Sequence, residues 1–214
     1  CIVFLFLFQL TGFVFTAGAT NYYVNTVTGK DSNKGTTKTT CWKTSAPLRS
    51  IRLMPGDSIL FASGQQFTGM LSLVDVKGVN GRPIVITAYQ FKNNKAKPVI
   101  DAGADLNALY IQNASFIHVA GIEFTAVLPY QNSNTTAKTE MRCGILVNIT
   151  KDDFFESILF NDVVVHDVYY NVSGFTRSAA EVKSANGTQS YGWGIRVINN
   201  TKTGRLKNVK ILAA

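Results

Sequence analysis

Apolar and polar residues alternate along much of the chain, and the alternation breaks at recurring points. In "SFIHVAGIEFT", Ser115 to Thr125, Ile117 and Val119 alternate with polar neighbours, Ala120 and Gly121 interrupt, and Ile122 and Phe124 resume one step out of phase. Period two marks a strand with one face buried. A break of two small residues followed by a shifted frame predicts a corner, where the chain passes from one sheet face to another. The phrase returns. "AGIEF" (Ala120 to Phe124), "NDVVV" (Asn161 to Val165) and "KNVKI" (Lys207 to Ile211) each carry a small or turn-forming residue and then apolar, any, apolar. Each follows an earlier strand phrase, "ALYI" at Ala108, "GILV" at Gly144 and "GIRV" at Gly194, so the units start 36 and 50 residues apart. Solenoid repeats run to about 20–45 residues before loops are inserted.

Two inserts stand just before the first strand phrase of their units. "LPYQNSNTTAKTEMRC" (Leu128 to Cys143) and "SGFTRSAAEVKSANGTQS" (Ser173 to Ser190) are polar, rich in Ser, Thr, Asn and Gly, and have loop composition. Equivalent points on a coil lie on one side, so both loops are expected to rise from one flank as a wall. No long stretch keeps apolar residues at helical spacing, while Val, Ile, Thr, Phe, Tyr and Asn dominate. A β-sandwich is the competing architecture and calls for hairpin turns between evenly spaced strands. The fixed order of strand phrases with short corners favours an all-β fold, a right-handed parallel β-helix. Ile117, Val119, Ile122 and Phe124 are then inward, as are Ile158, Phe160, Val163 and Val165. Outward positions form columns: Glu123, Val164 and Lys210 in one, His118, Leu159 and Arg205 in a second, Tyr110, Leu146 and Arg196 in a third. Columns mixing aromatic, cationic and acidic groups suit a sugar chain lying along the stack, and also plain solubility.

The run Ile2 to Ala19 is apolar, uncharged and closes on Ala17-Gly18-Ala19, the small-x-small pattern of a secretory cleavage site. Residues 1–19 are read as a signal peptide lacking its basic start, and 20–214 as one β-helix domain, with an N-terminal cap over about 20–60 and rungs thereafter. A membrane anchor is the other reading of an apolar run about 18 residues long, but Gln9, Thr11 and Gly12 interrupt it and no basic flank follows. A secreted protein, extracellular or periplasmic, without stable membrane insertion is therefore expected. Export permits a disulfide between Cys41 and Cys143, although nothing in the sequence pairs them. His118 and His166 are far apart and no Cys-x-x-Cys occurs, so no structural metal is expected. The formal charge of +8 lies wholly outside the leader. It favours anionic partners, and its scatter argues against a nucleic-acid arm.

The segment ahead of the repeats carries further signals. Tyr22-Tyr23-Val24, Gly29-Lys30-Asp31-Ser32, Gly35 and Trp42-Lys43-Thr44, followed by Pro55-Gly56-Asp57 with Ile59, Phe61 and Phe67, resemble the opening of secreted right-handed parallel β-helix proteins of the pectate-lyase-like superfamily. The resemblance spans nearly all of the mature chain and implies the fold. It leaves the reaction open, since polysaccharide lyases, glycoside hydrolases and proteins without assigned activity share this opening. It also implies that calcium is a conceivable cofactor. Physically these residues read as structure: Pro55-Gly56-Asp57 is turn chemistry, and Trp42 with Tyr22 or Tyr23 covers the first rung.

Lyases of that kind abstract a proton with Lys or Arg, and hydrolases use paired carboxylates. The densest polar stretch is "FNDVVVHDVYYN", with Asp162, His166, Asp167, Tyr169 and Tyr170. Asp162 fills the corner position of Gly121 and Asn208, which a turn carboxylate explains. His166 and Asp167, with Glu123, are the acid–base candidates, and each is also explained by the start of a loop or a solvated face. Tyr110, His118, Arg196, Arg205 and Lys210 are the candidate substrate contacts. Asp152, Asp153 and Glu156 in "TKDDFFES" match no calcium cage by spacing. The chain stops inside a strand phrase, so it is read as an N-terminal fragment. Two functions are expected in parallel: a polysaccharide lyase or glycoside hydrolase acting on an acidic extracellular polysaccharide, or a non-catalytic adhesive β-helix that binds glycans. Six Asn-x-Ser/Thr sequons are explained by composition.

Overall fold

The computed structural model describes residues 18–127, 142–169 and 192–213. Residues 1–17 of the expected signal peptide, the two inserts over 128–141 and 173–190, and Tyr170 lie outside the described residues. The strands are β1 (Asn21–Val24), β2 (Ser58–Ala62), β3 (Gln66–Thr68), β4 (Leu71–Val74), β5 (Ile84–Tyr89), β6 (Val99–Asp101), β7 (Asn107–Gln112), β8 (Ile117–Ala120), β9 (Glu123–Ala126), β10 (Arg142–Ile149), β11 (Phe154–Asn161), β12 (Val164–Val168), β13 (Gly192–Asn199) and β14 (Arg205–Leu212). Among the described residues the helical content is one short 3-10 turn, Ala46–Ser50.

The strands sort into three sheets. Face A runs β1-β2-β5-β8-β11-β14, face B β3-β6-β9-β12 and face C β4-β7-β10-β13. Every ladder between them is parallel. Parallel neighbours need a long crossover, and here the crossover of each strand is the other two faces of its own turn. The chain therefore winds as a parallel β-helix.

Register explains the core. On face B, Phe67 pairs with Ile100, Ile100 with Phe124 and Phe124 with Val165, so one column of large apolar side chains runs down the inside. On face A the column is Ile59, Ile86, Val119 and Phe160, and on face C Leu73, Ile111, Val147 and Val197. From Phe67 to Phe124 no member of the B column is more than 4% exposed. Burial of each such side chain contributes about 1.5–3 kcal/mol. The inward residues expected from alternation are all in or against this core.

Corners explain the shifted frames. Gly121 (φ 64°) and Asp162 (φ 52°) adopt the left-handed region where face A turns into face B. The turn costs no ladder bond, because Gly121 N donates to the Asn161 carbonyl at 3.1 Å and Asp162 N to that of Leu212 at 3.0 Å. A second left-handed column, Phe116 (φ 53°), Ser157 (φ 62°) and Asn208 (φ 59°), lies at or within the face A strands. Here the sequence reading is corrected. Val209 pairs with Ile158, which pairs with Ile117, so "KNVKI" belongs to face A and is equivalent to the phrases at β8 and β11, not to "AGIEF". Asn208 is thus the counterpart of Phe116 and Ser157 rather than of Gly121. Both corner types are followed by apolar, any, apolar, so the pattern could not separate them.

The segment before β2 lies on the first turn through β1, which pairs with β2. Tyr22 stacks on Trp42 at 5.4 Å with the rings 10° apart. Trp42 is buried, and a Cβ at Gly35 (φ 77°) would stand 2.3 Å from its indole ring. Glycine is required there on both grounds. Asp57 closes its turn by accepting from Thr20 N and Met54 N, each at 2.8 Å. Cys41 and Cys143 are both buried and free, so the permitted disulfide is not formed. Burial pushes the Cys143 thiol up to about 12, against the opposing charge of Arg196.

Candidate functional site

The outward side chains of face B form a polar strip. Gln66 Nε2 donates to Asp101 Oδ2 at 3.0 Å, and Thr125, which pairs with Asp101 on one side and His166 on the other, continues the strip into the next turn. Between His166 and Val168 the β9–β12 register slips, and Asp167 takes the left-handed region (φ 48°). A bulge re-aims a side chain while leaving the strands paired. Its effect is to bring Asp167 round to the same side as His166.

Four groups meet there. His166 Nδ1 lies 2.7 Å from Asp167 Oδ2, His166 Nε2 lies 2.9 Å from Glu123 Oε1, and the Tyr169 hydroxyl donates to Asp167 Oδ1 at 3.1 Å. Glu123 comes from the preceding turn. A neutral imidazole has one N–H to give, whereas two carboxylate oxygens face this ring, so the imidazolium is the form that satisfies both. Accordingly the hydrogen bond to Asp167, supported by Glu123, raises the His166 pKa against the cost of desolvation. The same bond, with that from Tyr169, lowers the Asp167 carboxyl. Side-chain exposures of 29% for Glu123, 40% for His166 and 51% for Asp167 leave all three within reach of a ligand on the face.

The other sequence-derived candidates lie on the two remaining faces. Tyr110, Leu146 and Arg196 form one register column on face C, as expected from alternation. There the Tyr110 hydroxyl donates to Gln112 Oε1 and accepts from Asn148 Nδ2 at 3.2 Å, while Asn200 Nδ2 donates to Asn148 Oδ1 at 2.9 Å. The Arg196 guanidinium lies 4.3 Å from the centre of the Trp193 ring. Trp193 escaped sequence reasoning, although an aromatic three residues before an Arg in "GWGIRV" was a readable signal. Gln112, Asn148, Asp101 and Gln66 escaped too, since polar positions on a strand look alike in sequence.

On face A two columns need correction. Lys210 pairs with Leu159, which pairs with His118, so Lys210 belongs with His118 and not with Glu123 and Val164. Arg205 pairs with Phe154 at the start of β14 and leaves the His118 column. Both shifts follow from the misplaced third phrase. The five candidate contacts therefore divide between faces A and C and do not converge on the face B cluster.

The acidic stretch after β10 does not fit calcium. Asp152 Oδ1 accepts from Thr203 N at 2.9 Å and Gly204 N at 3.1 Å, and Asp153 Oδ2 pairs with Lys77 at 3.3 Å. Carboxylates bound to amides and an ammonium do not form a hard-cation cage. Among the described residues no group of three or more His, Cys, Asp or Glu is placed to hold a metal ion.

No family model matches the chain. Lacto-N-biosidase of Bifidobacterium longum subsp. longum is 30% identical over 135 residues, covering 51% of this chain and 8% of that protein. The crystal structure of native GH136 lacto-N-biosidase from Eubacterium ramulus matches 87% of this chain and 34% of its own with a TM-score of 0.64 at 21% identity. Its selenomethionine derivative matches 88% of this chain and 34% of its own with a TM-score of 0.65 at 21% identity. The chain thus shares the fold of the Eubacterium ramulus structure over most of its length, while spanning about a third of that protein and 8% of the Bifidobacterium one.

Proposed function

We propose that this chain is part of a secreted glycoside hydrolase acting on a glycan with anionic groups, within the wider set of pectate-lyase-like β-helices, and that face B carries acid–base chemistry. The observation that carries the proposal is the hydrogen-bonded line Glu123–His166–Asp167 on an accessible outer face. The sequence similarity to a lacto-N-biosidase supports hydrolysis over elimination. Asp167 fixes the imidazole through Nδ1, and the Nε2 proton is held at Glu123. The imidazolium is then the proton source: its Nε2 proton passes by way of the Glu123 carboxylate to a glycosidic oxygen as the C–O bond breaks, water bonds the freed anomeric carbon, and the proton that water loses restores the imidazolium. The excess of Lys and Arg (21) over Asp and Glu (13) supports an anionic substrate, since a positive field concentrates anions.

A second reading, a non-catalytic glycan-binding β-helix, draws on face C. The Tyr110–Asn148–Asn200 ladder and the Trp193–Arg196 stack bind sugars by aromatic and amide contacts without any chemistry. One experiment separates the two. The intact protein is incubated with acidic and neutral oligosaccharides and polysaccharides, including lacto-N-biose-terminated ones, while reducing ends and the absorbance of unsaturated uronates are followed. Reducing ends without unsaturation are expected. Unsaturated product would establish a lyase, and silence across the panel together with glycan retention would establish the binding module.

A further inference from the structure

At the corner between faces A and B lies an open cavity of about 360 Å³, lined by Tyr89, Asn94, Lys95, Lys97, Gly121 and Asp162 among others. Cavities that hold small ligands begin at about this volume. One wall is the segment joining β5 to β6, and the structure fixes it firmly. Lys92 (φ 47°) and Asn93 (φ 57°) form a tight reversal closed by the Phe91–Asn94 bridge. Ser63 Oγ donates to the Asn94 carbonyl at 2.8 Å and accepts from Phe91 N at 2.9 Å, and Gly64 N donates to the Ala96 carbonyl at 2.9 Å.

Charge at this corner is mostly positive. The wall carries Lys92, Lys95 and Lys97, and Lys38 stands over the Tyr89 ring at 5.4 Å. Facing them from the corner is Asp162, 3.0 Å from Lys97. Lys95 is exposed and makes no ion pair among the described residues. The place of the cavity along the fold matters as much. Lys97, Gly121 and Asp162 each lie two residues before Val99, Glu123 and Val164, which form one register column. The cavity therefore lies at the start of the face B strands, and its lining residue Gly121 is two positions before Glu123.

We propose that this corner is a subsite for an anionic group, a carboxylate or sulfate ester on the sugar unit next to the one at Glu123. This rests on the glycoside hydrolase reading and names where its substrate's charge is held. Asp162 keeps the Lys97 ammonium in place when the subsite is empty, and an arriving anion shares Lys97 and takes Lys95.

Gly121 offers a clean test. A Cβ there meets nothing within 4 Å, and at φ 64° Asn and Asp are the replacements with least strain. They match in shape and differ in charge. Binding of oligogalacturonates, sulfated oligosaccharides and neutral oligosaccharides of equal length to the intact protein is measured by calorimetry at low and high salt. The expected result is anion-selective, salt-sensitive binding that Lys95→Glu and Gly121→Asp each weaken by about tenfold or more, with Gly121→Asp weakening it severalfold more than its uncharged isostere Gly121→Asn. Selectivity between carboxylated and sulfated ligands tells which group is the natural one. Equal binding of neutral ligands, or equal behaviour of Gly121→Asp and Gly121→Asn, overturns the subsite. Reducing-end release from acidic and neutral glycans by the unaltered protein is read separately: its absence throughout sinks the hydrolase reading and leaves an anion-selective corner standing.

Discussion

Glu123 and His166 stand 43 residues apart in sequence and meet at 2.9 Å across two neighbouring turns of the coil. With Asp167 on the other ring nitrogen, the imidazole is held between two acceptors. His166 is therefore expected to titrate above its ordinary 6.5 in an NMR titration of its ring protons. Asp167→Asn removes the largest cause and should lower the value more than Glu123→Gln. The sign for stability follows from linkage. A raised His166 contributes stability that is complete below 6.5 and is lost as pH rises through the elevated value. A lowered Asp167 contributes stability present above 3.8 and lost as pH falls through its depressed value. A His166 that titrates at or below 6.5 in the folded protein would refute the arrangement.

If face B is the catalytic face, Glu123→Gln and Asp167→Asn should each reduce reducing-end release by about 10²–10⁴-fold, the usual weight of a positioned acid or base. Circular dichroism of both variants should be unchanged, because both side chains are outward. Wild-type rates in the two variants would return the cluster to a structural role.

Phe124 sits at the centre of the face B column with no exposed surface. Phe124→Ala should cost about 3–5 kcal/mol in denaturant unfolding. Val164, one residue before the next column member and 39% exposed, should lose no more than about 0.5 kcal/mol on truncation to Ala. Similar losses at the two positions would mean that the register is wrong.

The Cys143 thiol, raised to about 12 by burial, should resist alkylation in the folded protein at pH 8 and react on unfolding. Its raised value also contributes stability that is complete below the ordinary 9.0 and disappears as pH rises through about 12. Cys143→Ala should flatten that alkaline loss. Rapid native alkylation would contradict the burial.

Two ion pairs, Lys77–Asp153 and Lys151–Asp75, tie the turn containing β4 to the turn containing β10 across the one between them. All four side chains are about half exposed. Asp153→Asn or Asp75→Asn should each lower the unfolding midpoint slightly at low salt, and the difference should vanish near 1 M salt. A salt-independent loss would instead implicate the backbone bond that Asp153 accepts from Phe154 N.

The architecture was readable because alternation reports burial directly. Ile117, Val119, Ile122 and Phe124 are inward because each strand has one face on the core, and the frame shift at Gly121 marks a real corner. Glu123, His166 and Asp167 were also nominated from sequence, yet their meeting was not derivable, since it depends on a bulge that turns Asp167 by one position. The placement of Lys210 and Arg205 failed for a related reason. A left-handed Asn208 inside a strand and a left-handed Gly121 between strands leave the same apolar pattern behind them. The corner cavity escaped entirely, because Lys95 and Lys97 approach Gly121 and Asp162 only through the parallel register of successive turns.

The corner occupied by Gly121 in one turn and Asp162 in the next imposes a backbone angle and asks nothing of the side chain beyond tolerance of that angle. Glycine, asparagine and aspartate are interchangeable there as far as the winding is concerned. The fold thus leaves the chemistry at each corner as a free variable, set turn by turn. Specificity along the edge of face B can drift through substitutions that no buried residue registers.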